Sequence, residues 1–371
     1  MLVSQDPLYV TRPTLPPRDD IEDLLREVWD SRFLTNRGPI LQRFEADLER
    51  YLNVPHVSLV ANATLGCMVA LRSLGADQGE IITPAFSFVA TAHAARWLGH
   101  DIVFADINPK TLNLDPSDVE RRITSRTRAI LPVHCYANPC DVAALAEIGA
   151  RYKIPVVYDG AHCFGASDQD GSLLRHGDLS VVSFHATKVF STFEGGAIIS
   201  HDIETKQALD RLCNYGIVDQ THIEALGLNA KMSEIHAALG LAQLPYVARD
   251  IENRAKVVRR YWDRLSKIPG IRCVCPPNRE GQNYYSFPIL VGANYPMSRD
   301  ILYQKLQDAG IQARRYFYPL LTDLPMYRDA SSDGLEAART AAEQVLCLPL
   351  YPDLAPEDQD RVIACICDPC A

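Results

Sequence analysis

Leu179-Ser-Val-Val-Ser-Phe-His-Ala-Thr-Lys188 is the stretch on which the fold turns. Its first six residues, Leu179–Phe184, are apolar or small throughout, the pattern of a strand buried on both faces. Comparable runs recur at His56–Val60, Glu80–Thr83, Asp101–Phe104, Arg128–Val133, Pro155–Asp159 and Ala197–Ser200. Between several of them lie helical patterns such as Asp141–Tyr152, where Val142, Leu145, Ala146 and Gly149 form one face. Apolar strands separated by helices predict an α/β layer built on a largely parallel sheet.

Outward from this block, Ile21, Leu24, Leu25 and Val28 recur at helical spacing and predict a first helix over Asp19–Ser31. A long helical region, about Lys231 to Leu265, follows the strands, and Pro245 predicts a break or kink in it. A strand at Tyr285–Val291 and helices at Ser298–Ala309 and near Leu335–Gln344 then suggest a smaller α+β domain. The expected division is a large domain over 1–244 and a small one over 245–371.

A chain of 371 residues suits two such domains. Its net charge of −9 argues against a nucleic-acid surface, so any anionic ligand needs a local cluster of donors. The N-terminus lacks an apolar signal core and no stretch approaches the roughly 20 apolar residues that span a bilayer, so the expectation is a soluble, cytoplasmic protein away from membranes. Eleven scattered cysteines, an odd number, fit reduced thiols. Cys365, Cys367 and Cys370 look like part of a metal site, but three ligands without a His pair favour a frayed, reduced tail, and no metal is expected.

In open α/β sheets ligands gather at the carboxyl ends of strands, and four groups fall there. Asp159 ends the strand Pro155–Asp159, with His162 just beyond; alone, such an acid is more often a cap or loop anchor. Lys188 follows the strand Leu179–Phe184, where desolvation would make it a nucleophilic amine, although most lysines so placed are solvated. Asn62-Ala-Thr-Leu-Gly66 opens a helix at Leu65–Leu74, either as an anion site or as a simple cap. Glu194-Gly-Gly196 is a tight turn into a strand, and its glycines could serve geometry alone. Together they offer a phosphate cradle, an acid and a buried amine, which are the needs of pyridoxal 5'-phosphate.

Ser183-Phe-His-Ala-Thr-Lys-Val-Phe-Ser-Thr-Phe-Glu-Gly-Gly-Ala197 resembles the cofactor-lysine motif of the DegT/DnrJ/EryC1/StrS nucleotide-sugar aminotransferases. Val133-His-Cys-Tyr-Ala-Asn-Pro-Cys-Asp141 is similar to the family's Pro-Val-His-x-Tyr-Gly turn, with Ala137 where glycine is usual. Tyr158-Asp-Gly-Ala-His162, Ala85-Phe-Ser-Phe-Val-Ala-Thr91 and Asn229-Ala-Lys-Met-Ser-Glu234 resemble three further family segments. The resemblance implies an aspartate-aminotransferase-like fold (fold type I) and, position by position, a set of roles. Lys188 carries the cofactor and later moves a proton, Asp159 pairs with its ring nitrogen, and His162 sits beside the ring. Phe88 stacks on the ring, while Ala63, Thr64 and Ser183 hold the phosphate. Asn229 reaches the phosphate of a neighbouring subunit, which implies a homodimer with shared sites. The family commonly has Gly-Thr where this chain has Ala63-Thr64, so a modest adjustment of the phosphate turn is expected.

Within the family, Phe184–Lys188, Phe193–Gly196, Leu34–Pro39 and Arg314–Pro319 resemble enzymes that make dTDP-4-amino-4,6-dideoxyglucose, with glutamate as donor. That likeness makes Arg37, Arg314, Arg315, His185, Glu194 and Tyr316 the candidate contacts for a dTDP-linked keto-sugar, although each arginine could equally be a solvated surface residue. The same family includes enzymes acting at C3 or on GDP- or UDP-sugars, and that alternative stays open. A sugar dehydratase of the family would carry histidine in place of Lys188. A nicotinamide enzyme would carry a Gly-x-Gly-x-x-Gly turn after the first strand, which is missing here. A non-catalytic regulator would have no need of lysine, acid and phosphate turn together.

Overall fold

The computed structural model describes residues 7–75 and 78–368. Seven strands form the main layer: β1 (His56–Val60), β2 (Glu80–Pro84), β3 (Asp101–Ala105), β4 (Thr127–Ile130), β5 (Val157–Asp159), β6 (Leu179–Ser183) and β7 (Gly196–Ser200). They lie in the order β1-β7-β6-β5-β4-β2-β3. β4 and β5 are joined by parallel bridges at Ile130–Val156 and Val133–Asp159. Among the described residues only β7 runs against its neighbours in this layer.

The absence of polar alternation in these strands has a direct cause: both faces are covered. Alternate residues Val181 and Ile198 enter one core with α3 (Ala63–Ser73) and α4 (Val89–Trp97). Val182, Ala197 and Ile199 enter another core, with α1 (Arg18–Ser31), α2 (Pro39–Leu52) and α8 (Glu234–Gln243). At the β3 edge, α5 (Pro116–Arg122) and α6 (Val142–Tyr152) are neighbours on a third apolar cluster, which includes Ile82, Val103 and Ile130. α7 (Ile203–Leu212) closes the first face through Leu209 and Leu212.

The break at Pro245 takes the form of a 3-10 turn, Leu244–Tyr246, between α8 and α9 (Val247–Leu265). Proline has no N–H to return to the preceding turn, so the axis must change there. Beyond it, β8 (Ile271–Cys273), β9 (Phe287–Val291) and β10 (Val345–Leu348) form an antiparallel sheet. Phe287, Ile289 and Val291 meet α9, α10 (Arg299–Asp308) and α12 (Pro356–Cys367) in a separate core, and Leu8 from the N-terminal segment joins it. The face with Leu290 and Val345 turns to the large layer, through α11 (Glu336–Gln344).

The C-terminal region departs from the expected frayed tail. Pro356 starts α12 at a position that needs no amide donor, and Val362, Ile363 and Ile366 are buried at helical spacing. Cys365 and Cys367 therefore lie on a packed helix, half-buried and exposed respectively, while Cys370 lies outside the described residues. Among the described residues no group of three or more His, Cys, Asp or Glu side chains is arranged to hold a metal ion.

Candidate active site

The carboxyl ends of β5 and β6 open into a cavity of about 250 Å³. Lys188, Asp159, His162, Ser183, Ala63, Thr64, Phe88, His185, Glu194 and Tyr316 all line it. A wider, shallower groove of about 520 Å³ near Arg272 and Glu336 contains none of the predicted residues.

Lys188 sits in the turn after β6, where its amide donates to the His185 carbonyl at 2.9 Å. Burial brings its ammonium down to about 8, with Asp159 and Cys163 pulling the other way. A lysine so placed holds a substantial neutral fraction near physiological pH, which a nucleophile requires.

Asp159 is the last residue of β5 and is nearly fully buried. Its Oδ2 accepts from Thr91 Oγ1 at 2.7 Å, and its Oδ1 from the Ala161 amide at 3.0 Å. Thr91 in turn contacts Ser87 Oγ at 2.8 Å, so α4 holds the carboxylate in one rotamer. His162 lies flat against Tyr285, with ring centres 4.1 Å apart and planes 13° apart. Its Nδ1 accepts from the Tyr136 amide at 3.3 Å. Burial first, and Lys188 second, hold its imidazole well below the usual histidine value, so it is neutral.

The start of α3 supplies the anion site. Asn62 Oδ1 caps the Leu65 amide at 2.9 Å, and the Asn62 carbonyl accepts from Gly66. Among the described residues nothing accepts from the amides of Ala63 and Thr64, which open the helix beside Ser183. Gly196 explains why these amides stay accessible. A Cβ there would stand 2.9 Å from Ala63 N and 2.8 Å from the Val182 carbonyl oxygen, both rigid backbone. Gly196→Ala is therefore expected to displace α3 from β7 and to raise the dissociation constant for pyridoxal phosphate by about tenfold. A titration of cofactor absorbance against apoprotein measures it, and an unchanged constant would reject the crowding argument.

Four predicted residues lie outside the cavity. Arg37 is paired with Glu45 at 2.7 Å and with Asp210, and Lys206 joins the same carboxylates. Arg315 pairs with Asp300 at 2.9 Å and lies over Tyr303 and Tyr318. Arg314 is exposed, its backbone bridged to Cys347, and Asn229 is exposed opposite Asn214. Conversely, Tyr285, Phe317, Cys67, Ser87 and Thr187 line the cavity without having been singled out. Ser87 and Thr91 stood inside the quoted Ala85–Thr91 segment, but nothing local marks Tyr285, which arrives from a distant part of the chain.

The sequence profile of the DegT/DnrJ/EryC1/StrS aminotransferase family matches residues 17–367. The chain belongs to this family. A "dTDP-4-amino-4,6-dideoxy-D-glucose transaminase" of Shigella dysenteriae is 45% identical over 98% of this chain and 99% of its own length. One of the same description from Escherichia coli is 43% identical, over 94% and 95%. Among solved structures, DesI in the presence of its TDP-sugar product superposes with a TM-score of 0.92 at 33% identity, covering 97% of this chain and 92% of its own. The Bacillus subtilis protein NtdA, solved with bound cofactor PMP, gives a TM-score of 0.85 at 31% identity, over 94% and 80%.

As a DegT-family member the chain is a pyridoxal-phosphate-dependent aminotransferase with the fold of these enzymes. The cavity fits that cofactor: it holds an enclosed amine, a fixed carboxylate, a neutral imidazole and unpaired helix-start amides kept open by Gly196. Both departures from the family pattern are accommodated. Ala63 has an ordinary helical backbone as the first residue of α3, so it needs none of glycine's freedom. Ala137 does adopt the left-handed conformation, at φ 60°, which alanine tolerates at a cost of about 1 kcal/mol.

Proposed function

We propose that this aminotransferase moves an amino group from L-glutamate to C4 of dTDP-4-keto-6-deoxy-D-glucose, giving dTDP-4-amino-4,6-dideoxy-D-glucose and 2-oxoglutarate. The observation that carries this reading is the 45% identity, over nearly the full length of both chains, to a relative of that activity. GDP-perosamine synthase of Caulobacter vibrioides shares 31%, which makes a GDP-sugar the weaker choice.

Bound pyridoxal phosphate supplies an aldehyde that accepts the amino group and a protonated ring that withdraws electrons from the reacting carbon. The chain's own residues do the rest. Lys188 would hold the aldehyde carbon and, once freed by the incoming amine, would carry a proton between the substrate carbon and the cofactor's C4′. Asp159 would keep the ring nitrogen protonated, His162 and Phe88 would confine the ring, and Ala63, Thr64 and Ser183 would hold the phosphate. His185 and Glu194, 3.7 Å apart at the cavity mouth, offer donor and acceptor to the sugar hydroxyls, next to Tyr316. Arg314, exposed and outside the cavity, offers a cation to the diphosphate.

The working unit is a homodimer. The loop carrying Ile223 (67% exposed) and Leu226 (78% exposed) presents apolar side chains to solvent, and exposed Asn229 lies outside its own cavity. A partner covering that loop would bring Asn229 to the second site. The enzyme works in the cytoplasm, in keeping with ten free thiols among the described residues and no described helix long and apolar enough to cross a membrane.

The test is incubation of holoenzyme with glutamate and a panel of dTDP-, GDP- and UDP-linked 3- and 4-keto-sugars, with products identified by NMR. An amine at C4 of the dTDP-sugar is expected. Amination confined to C3, or to a GDP- or UDP-sugar, would reject the assignment.

A further inference from the structure

We propose that Tyr285 is a catalytic residue of the amino transfer, whose hydroxyl and ring face hold the Lys188 amine whenever it is free and stabilise it once it has taken a proton. This rests on Lys188 being the cofactor-bearing lysine. Lys188 Nζ lies 3.5 Å from the Tyr285 hydroxyl and 4.9 Å from the centre of its ring. The first distance is at the outer edge of hydrogen bonding, and such contacts commonly tighten when substrate is bound.

Tyr285 is held in place from three directions. Its ring is stacked on His162, 4.1 Å away. The fully buried Asn283 donates from Nδ2 to the carbonyls of His162 (2.6 Å) and Phe164 (2.9 Å), and its Oδ1 accepts from the Tyr285 amide at 3.1 Å. Arg254, also buried, donates to the carbonyls of Tyr284 and Tyr285. The segment that delivers Tyr285 is thus fastened to the backbone of the histidine beside the cofactor site. No such expense of buried polar groups is needed merely to fill space.

The chemistry follows from the valence of nitrogen. A neutral Nζ has two N–H bonds and one lone pair. Donating one N–H to the phenol oxygen leaves the lone pair free to take a proton from the donor carbon. The ammonium so formed keeps that hydrogen bond and faces the electron-rich ring in an enclosed site, where its charge is otherwise unfavourable. The proton then passes to the cofactor's C4′, and in the second half-reaction it runs from there to the sugar carbon. Tyr285 itself gains and loses no proton, and burial keeps its phenol well above the ordinary value. The titratable groups acting on Nζ besides Tyr285 are Asp159, Cys163 and His162.

The test compares wild type, Tyr285→Phe, Tyr285→Leu and Tyr284→Phe. Tyr284 donates its hydroxyl to Pro277, away from the cavity, and controls for loss of a phenol in this segment. Expected are a fall in kcat of about tenfold for Tyr285→Phe and about 100-fold for Tyr285→Leu, with KM for both substrates little changed. Separately, competitive acetylation of Lys188 in full-length apoprotein, read by peptide mass spectrometry across pH, should show a lower titration midpoint in Tyr285→Phe, because a stabiliser of the charged form is gone. Wild-type kcat and midpoint in Tyr285→Phe, or an equal loss in Tyr284→Phe, would overturn the proposal. A wild-type holoenzyme that carries no pyridoxyl group on Lys188 after borohydride reduction would instead overturn the functional reading beneath it.

Discussion

Lys188→Ala is expected to lower turnover by at least about 10⁴-fold and to abolish the visible absorbance of lysine-bound cofactor. Two functions vanish together: the covalent hold on the aldehyde and the base that moves the substrate proton. The phosphate site at the start of α3 is untouched, so the variant should still bind pyridoxal phosphate, with the spectrum of a free aldehyde. Borohydride should then leave no pyridoxyl group on the protein. The wild type has a further signature in its pH dependence. Capture of the aldehyde needs neutral amine, and burial brings Lys188 to about 8. Below that value the rate of cofactor capture by apoprotein should climb about tenfold per pH unit, and above it the rate should level off. An ordinary lysine would keep climbing to about pH 10. Stopped-flow mixing of apoprotein with cofactor distinguishes the two. Retention of the lysine-bound spectrum and near-normal turnover in Lys188→Ala would remove the assignment of this residue.

Strands were the most legible part of the structure, because burial on both faces leaves a short apolar run between turn residues. The ends of the runs that form β5 and β6 consequently put Asp159 and Lys188 at one edge of the layer from the sequence alone. What stayed hidden depends on contacts far apart in sequence. Tyr285 lies 97 residues from Lys188, and its role is set by Asn283 and Arg254 rather than by any neighbouring motif. The partners of Arg37, Glu45 and Asp210, are likewise brought to it only by the fold. The short strands β8 and β10 were missed for a related reason: three or four residues give no period to detect, and pairing with β9 is what makes them strands. The helical end of the chain is fixed by packing of Val362, Ile363 and Ile366 into a core shared with α9 and α10, again distant in sequence.

Asp159→Asn separates the electronic role of this residue from its structural one, and is expected to lower kcat by about 10³-fold while leaving the cofactor bound. The carboxylate accepts two hydrogen bonds, from Thr91 Oγ1 and the Ala161 amide, and both donors belong to the protein. An asparagine keeps the shape but has one acceptor oxygen, so its NH₂ must face either Thr91, whose hydroxyl can rotate to accept, or the Ala161 amide, which can only donate. The first arrangement keeps the backbone in place and costs little stability. In both, the negative charge that holds the ring nitrogen protonated is lost, and with it the ability of the ring to draw electrons from the reacting carbon. Thr91→Val provides the complementary variant, since it retains the charge and removes one donor. Its kcat should fall far less, by about tenfold or below. Cofactor content from absorbance, melting temperature and kcat, measured on both variants, discriminate the outcomes. Full turnover in Asp159→Asn would eliminate the electronic role, because a neutral amide cannot keep a pyridine protonated in a buried site. Loss of the cofactor with an unchanged melting temperature would reassign Asp159 to binding, since the phosphate cradle alone should retain the ligand. Only a full complement of cofactor with little chemistry matches a carboxylate whose charge, more than its hydrogen bonds, drives the reaction.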